Sequence, residues 1–156
     1  VVCNRGGEIL VMATPMTIKQ VKYQDLLDLY KDQASILSVP CEGLMEFVEQ
    51  GKIEGPELKA YLEKHLQPYI HENTETIVLG CTHYPFLKPY LKKFLGNRDI
   101  HLLDGSLGTS LELRRRLKEK DLLYTQERER QVEILNSSKD PEMIQRSYRL
   151  LSMPFE

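Results

Sequence analysis

Thr76-Ile77-Val78-Leu79-Gly80-Cys81-Thr82-His83-Tyr84-Pro85 passes from a short apolar run, through a polar turn, to the start of an amphipathic segment. The run 76–79 is rich in β-branched residues and bounded by Gly80, which suits a buried strand. Pro85 suits the first turn of a helix over 86–95, where its missing N–H costs nothing; Pro89 makes that helix less regular. A strand, a tight turn and a helix in this order form half of a βαβ unit.

The flanking sequence repeats the pattern. Ile9-Leu10-Val11-Met12-Ala13 reads as a strand. Thr17 to Gln20 has the form of a capping box, with Thr17 as N-cap, ahead of Val21, Leu26, Leu27 and Tyr30 at helical spacing. Ile36-Leu37-Ser38-Val39 reads as a strand ended by Pro40, and Leu44, Phe47 and Val48 as a short helix stopped by Gly51. Gly55-Pro56 opens a helix carrying Leu58, Tyr61, Leu62, His65, Leu66 and Tyr69, with Pro68 ending or kinking it. Further along, 100–103 reads as a strand, 106–120 as a helix and 131–135 as a fifth strand. Asp140-Pro141 caps and starts a last helix. Strands alternating with helices predict an α/β fold, a mainly parallel sheet flanked by helices.

A chain of 156 residues, 41% hydrophobic, is long enough for an ordinary core. Its formal charge of −2 gives no reason to expect nucleic acid or a membrane surface as partner. No apolar run approaches the roughly 20 residues of a membrane span, and Val1 to Gly7 do not resemble a signal peptide, so a cytoplasmic protein is expected. Cys3, Cys41 and Cys81 are too few and too widely spaced for a disulfide framework or a zinc knuckle, leaving a single reactive thiol as the functional option.

In parallel sheets ligands sit at the C-terminal strand ends, so the loops 14–17, 80–85 and 104–106 are the candidates. Gly80 permits a sharp turn or a close approach. Cys81 would stand near the N-terminus of the helix begun by Pro85, whose unsatisfied N–H groups favour a thiolate or bind a carboxylate. His83 could assist proton transfer. The structural alternative is an inert buried thiol. A metal site on Cys81 and His83 has no obvious third and fourth ligands. Thr14 could meet a ligand or serve structure; Thr17 is explained as a cap; 104–106 reads as a turn plus N-cap. His65 and His71 read as packed or solvent-facing, His101 as alternating in a strand, and Cys41 as a small buried side chain.

The run 78–85 resembles the second cysteine signature of the aspartate/glutamate racemase family in its glutamate racemase form. Met12-Ala13-Thr14-Pro15-Met16-Thr17-Ile18 looks like that family's threonine-bearing loop, and Val39-Pro40-Cys41-Glu42-Gly43-Leu44 like the turn after its next strand. Leu103-Asp104-Gly105-Ser106 looks like the family's return to its first lobe, and 132–138 with the final helix like its C-terminal elements. The resemblance implies a fold of two similar α/β lobes with the active site between them. It implies racemisation of glutamate without pyridoxal phosphate or any other cofactor, by two cysteines on opposite faces of Cα. Cys81 would be one of these bases, with His83 assisting and Thr14, Thr17 and Thr82 contacting substrate. The family's role is to supply D-glutamate for peptidoglycan.

The family's Asp-Ser-Gly segment and its Ala-Cys-Asn-Thr loop with the first cysteine are not found, and Cys3-Asn4 reads as coincidence or a junction left by truncation. The expectation is therefore a Cys81-bearing lobe at 8–103, and a segment 104–156 that completes an N-terminal lobe missing from this chain. Exposed apolar surface should result. The expected partner is the small molecule glutamate, and a homodimer stays open. A non-catalytic binding fragment and a racemase for aspartate are the alternatives.

Overall fold

The computed structural model describes residues 6–124, 131–138 and 140–153. Cys3, part of the charged stretch 118–130 and residues 154–156 lie outside them. The described chain divides into two compact units between Asp104 and Gly105.

The first unit is built on strands β1 (Glu8–Ala13), β2 (Ser35–Pro40), β3 (Thr74–Leu79) and β4 (His101–Asp104). They form one parallel sheet in the order β2-β1-β3-β4. Consecutive residues of a strand face opposite sides, yet Ile9 and Leu10, and Met12 and Ala13, are all buried in β1, so the sheet is covered on both faces. The helices are α1 (Pro15–Ile18), α2 (Val21–Tyr30), α3 (Leu44–Glu49), α4 (Pro56–His65) and α5 (Lys88–Leu95). Leu58, Leu62 and Leu66 follow helical spacing and are fully buried, each worth about 2 kcal/mol of burial. Leu91 and Leu95 are buried along α5, with Leu87 just before it, and Leu44 and Val48 along α3.

Three local readings change. Thr14, not Thr17, is the N-cap: its hydroxyl accepts from the Thr17 backbone N–H at 3.2 Å, and a separate α1 precedes α2. The Thr17 box fails because the chain turns immediately after β1, where Pro15 fixes the first helical φ and leaves Thr14 as the last extended residue. Pro85 opens only a 3-10 turn, Tyr84–Leu87, and the regular helix α5 begins after it with Pro89 in its first turn. α2 forms as expected but buries none of its residues, and Val21, Leu26 and Leu29 stay exposed.

The second unit holds α6 (Ser106–Glu119) and α7 (Pro141–Leu151). Asp140 caps α7, accepting from the Glu142 N–H at 3.0 Å. Residue 104 does not cap α6: Gly105 takes that position with no side-chain cap, and the Asp104 carboxylate pairs with Lys88 at 2.5 Å. The fifth strand at 131–135 does not form. A strand exists by pairing, and here backbone groups are met by a side chain: Tyr148 Oη accepts from the Ile134 N–H at 3.2 Å and donates to the Val132 carbonyl at 3.3 Å. Neither α6 nor α7 buries a residue fully, and Leu107, Leu111, Leu113, Leu135 and Leu151 are exposed.

Candidate functional site

Strand order locates the site. From β1 the chain moves to one side to make β2, then returns across β1 to make β3, so connections diverge between β1 and β3. In open parallel sheets ligands bind at the C-terminal strand ends beside such a switch point. Met12 of β1 is in register with Leu79 of β3, which sets Thr14 and Cys81 at the mouths of adjacent strands.

Gly80 makes the join. Its N–H donates to the Met12 carbonyl at 2.8 Å, and a Cβ at this position would lie 2.8 Å from the same oxygen. Only glycine lets the two strand ends stay this close. Cys81 follows, half-buried, with its Sγ 3.7 Å from His83 Nδ1. His83 Nε2 in turn lies 2.6 Å from Glu49 Oε1. When Glu49 is ionised it accepts from Nε2–H, which leaves Nδ1 as a lone pair directed at the thiol. The line carboxylate, imidazole, thiol can take up and return a proton at Cys81.

Glu49 was not singled out from the sequence. A signal existed: it is the last residue of α3, whose last turn holds no basic side chain, and an acid at a helix C-terminus opposes the macrodipole. A carboxylate held there against that cost invites the search for a cationic or hydrogen-bonding partner.

The turn is braced from below. Tyr84 is fully buried, donates its hydroxyl to the Cys41 carbonyl at 3.2 Å, and donates its backbone N–H to the Cys81 carbonyl. Burial, with the neighbouring Cys41 and Cys81, holds the Tyr84 hydroxyl far above the ordinary tyrosine range. Cys41 is buried too, and burial pushes its thiol up to about 12, against a backbone hydrogen bond with Ala13 that lowers it. Thr14 and Thr17 are half-buried and bonded to each other, with 2.9 Å between hydroxyl oxygens, while Thr82 is exposed in the turn. The helix-dipole argument for Cys81 weakens, because the helical segment beside it is a four-residue 3-10 turn. His65 stacks on Tyr61 with centroids 4.5 Å apart, His71 pairs with Glu8 at 2.9 Å, and His101 is exposed. Among the described residues no three His, Cys, Asp or Glu side chains are grouped to share a metal ion, and no helix is long and apolar enough to cross a membrane.

No family model matches the sequence. The chain is 45% identical to a glutamate racemase of Clostridium botulinum over 148 residues, covering 95% of this chain and 57% of that protein. A glutamate racemase of Clostridium novyi is 44% identical over 151 residues, covering 96% and 58%. In fold it is similar to the glutamate racemase of Francisella tularensis, solved in complex with D-glutamate, with a TM-score of 0.67 and 30% identity. That match covers 78% of this chain and 45% of the other. The chain is glutamate racemase-like along nearly its whole length, and it spans little more than half the length of the curated relatives it matches.

Proposed function

We propose that this chain supplies one of the two proton-transfer faces of a glutamate racemase. The observation that carries the proposal is the line Glu49, His83, Cys81 at the switch point between β1 and β3. A Cα proton next to a carboxylate is weakly acidic, so its removal needs a thiolate placed on it and donors that stabilise the carbanion-like transition state. Cys81 takes or returns the proton on one face of Cα, and His83 exchanges the thiol proton while Glu49 orients the ring. Thr14, Thr17 and Thr82 offer hydroxyls to the substrate carboxylate and ammonium groups. No pyridoxal phosphate or other cofactor enters this scheme.

A second thiol must face Cys81 from the opposite side. The relatives contain sequence that this chain does not span, and the counterpart group belongs there. Residues 104–156 then complete the counterpart lobe, which accounts for the apolar side chains that α6 and α7 leave exposed. The physiological reading is supply of D-glutamate for peptidoglycan, in the cytoplasm.

The test is complementation. The segment of the Clostridium botulinum protein that this chain does not span is mixed with the chain, and glutamate is followed in heavy water by polarimetry and by loss of the Cα proton signal. Racemisation should require both pieces and vanish in Cys81→Ser. Activity that survives Cys81→Ser refutes the assignment.

A further inference from the structure

Asp104 is an acid that is nearly buried at the end of an edge strand, with its side chain 7% exposed and that of its partner Lys88 17% exposed. Such a pair is costly to desolvate, and hydrophobic replacements often serve stability as well or better. Its place in the chain gives it another use. Asp104 is in register with Leu79, the residue before Gly80, through the β3–β4 ladder. Its carboxylate holds Lys88, the first residue of α5 and the residue after the 3-10 turn. One residue therefore fixes both ends of the segment 80–87, which carries Cys81 and His83.

We propose that Lys88 and Asp104 are positioning residues that clamp this segment and thereby hold His83 within reach of the Cys81 thiol. Other anchors act on the segment: the Gly80 N–H donates to the Met12 carbonyl, Tyr84 and Leu87 are buried, and the Phe86 N–H donates to the His83 carbonyl. None of these bonds runs from one end of the segment to the other, as the Asp104 link does. Without the clamp the turn keeps its anchors but the imidazole and thiol lose their fixed 3.7 Å approach. The inference rests on Cys81 being the reactive thiol of the proposed function, and its test needs no glutamate.

The experiment measures iodoacetamide alkylation of Cys81, resolved by peptide mass spectrometry, in the unaltered chain, His83→Ala, Lys88→Met and the double variant. In the unaltered chain His83→Ala should slow Cys81 about tenfold, the effect of one lost charge-assisted hydrogen bond on a rate. In Lys88→Met the same substitution should change the rate less than about twofold, because the pair is already uncoupled. Lys88→Arg, which keeps the cation, should retain most of the tenfold ratio. Asp104→Asn is nearly isosteric and takes the place of Lys88→Met should that variant fail to fold; its ratio should fall between about twofold and about tenfold, since an amide keeps a hydrogen bond but not the charge. Amide exchange across β1 shows that the sheet itself is intact, so a general loss of stability would not mimic the result. A tenfold ratio that persists in folded Lys88→Met and Asp104→Asn overturns the clamp, and so does a ratio of one in the unaltered chain. Failure of the glutamate assay with the alkylation pattern intact removes the racemase reading and leaves the clamp standing.

Discussion

Replacing Gly80 with alanine tests how tightly the site depends on the contact between β1 and β3. The new Cβ would lie 2.8 Å from the Met12 carbonyl oxygen and 3.5 Å from Ala13 Cβ and Val11 Cγ1. A carbon rests against a carbonyl oxygen at about 3.3 Å or more, so the backbone must withdraw by about 0.5 Å. The obstructing atom is backbone, and it is also the acceptor of the Gly80 N–H, so withdrawal strains the last rung between the strands. That rung is worth about 1 kcal/mol net, and overpacking typically costs about 1–3 kcal/mol. A stiffer unfolded chain returns about 0.4–1 kcal/mol. The balance is a loss of about 2 kcal/mol, or about thirtyfold in the opening equilibrium of the β3 end. Gly108→Ala is the control. It lies in the first turn of α6 with nothing within 4 Å of the built Cβ, so it should stabilise that helix by about 0.5 kcal/mol. Peptide-resolved hydrogen exchange reads both, because β3 and α6 belong to different compact units. The reasoning is refuted by unchanged exchange around residues 79–81 in Gly80→Ala, or by faster exchange across α6 in Gly108→Ala.

Two further outcomes follow from the titratable groups. Cys41 is held up to about 12 by burial against an ordinary thiol value of 9.0, so the folded chain keeps a proton that the unfolded chain releases. Its contribution is full below pH 9 and is lost as pH rises towards 12. Urea unfolding across that range should show falling stability, less steep in Cys41→Ala, and a flat profile contradicts the burial argument. Glu49→Gln keeps a hydrogen-bonding group at His83 but removes its charge. Since the Glu49 side chain is 51% exposed, Cys81 alkylation should slow by only about two- to fivefold, and less at high salt. A loss as large as that of His83→Ala would mean that the carboxylate does more than orient the ring.

Apolar periodicity and turn residues made most of the fold legible. Ile9 to Ala13 and Thr76 to Leu79 announce buried strands, Gly51 ends α3, and Asp140-Pro141 starts α7, because each depends on local backbone chemistry. What depends on distant partners was not legible. Residues 131–135 carry strand-like composition, but among the described residues no strand takes up their backbone groups. Pro85 reads as the start of the helix and Pro89 as an irregularity within it, but the tighter 3-10 geometry takes Pro85 and the regular helix begins with Pro89 in its first turn. Asp104 has the composition of a cap, and only the tertiary structure shows that its carboxylate is engaged by Lys88. At the site, Cys81 and His83 were visible from their spacing. Glu49 was not, since it stands 34 residues before His83 on another helix.

Two cysteines stand at C-terminal strand ends of the same sheet, and the fold decides between them. Cys41 follows β2 and Cys81 follows β3, on either side of β1. Both loops hang on β1: the Cys41 N–H donates to the Ala13 carbonyl and the Gly80 N–H to the Met12 carbonyl. The difference lies in how far each thiol is buried on its side of β1. Between β1 and β2 the chain passes directly through α1 and α2, and the Cys41 thiol turns inward to the Val39 carbonyl at 3.4 Å, beneath Leu44 and Tyr84. Desolvation there disfavours the thiolate, so the sulfur is a small apolar side chain. Between β1 and β3 the connections diverge, and Cys81 stands half-buried beside an imidazole that is held by a carboxylate. Chemistry at Cys81 thus follows from strand order. A sequence that placed the same Gly-Cys-Thr-His turn after β2 would bury its thiol in the position Cys41 now occupies.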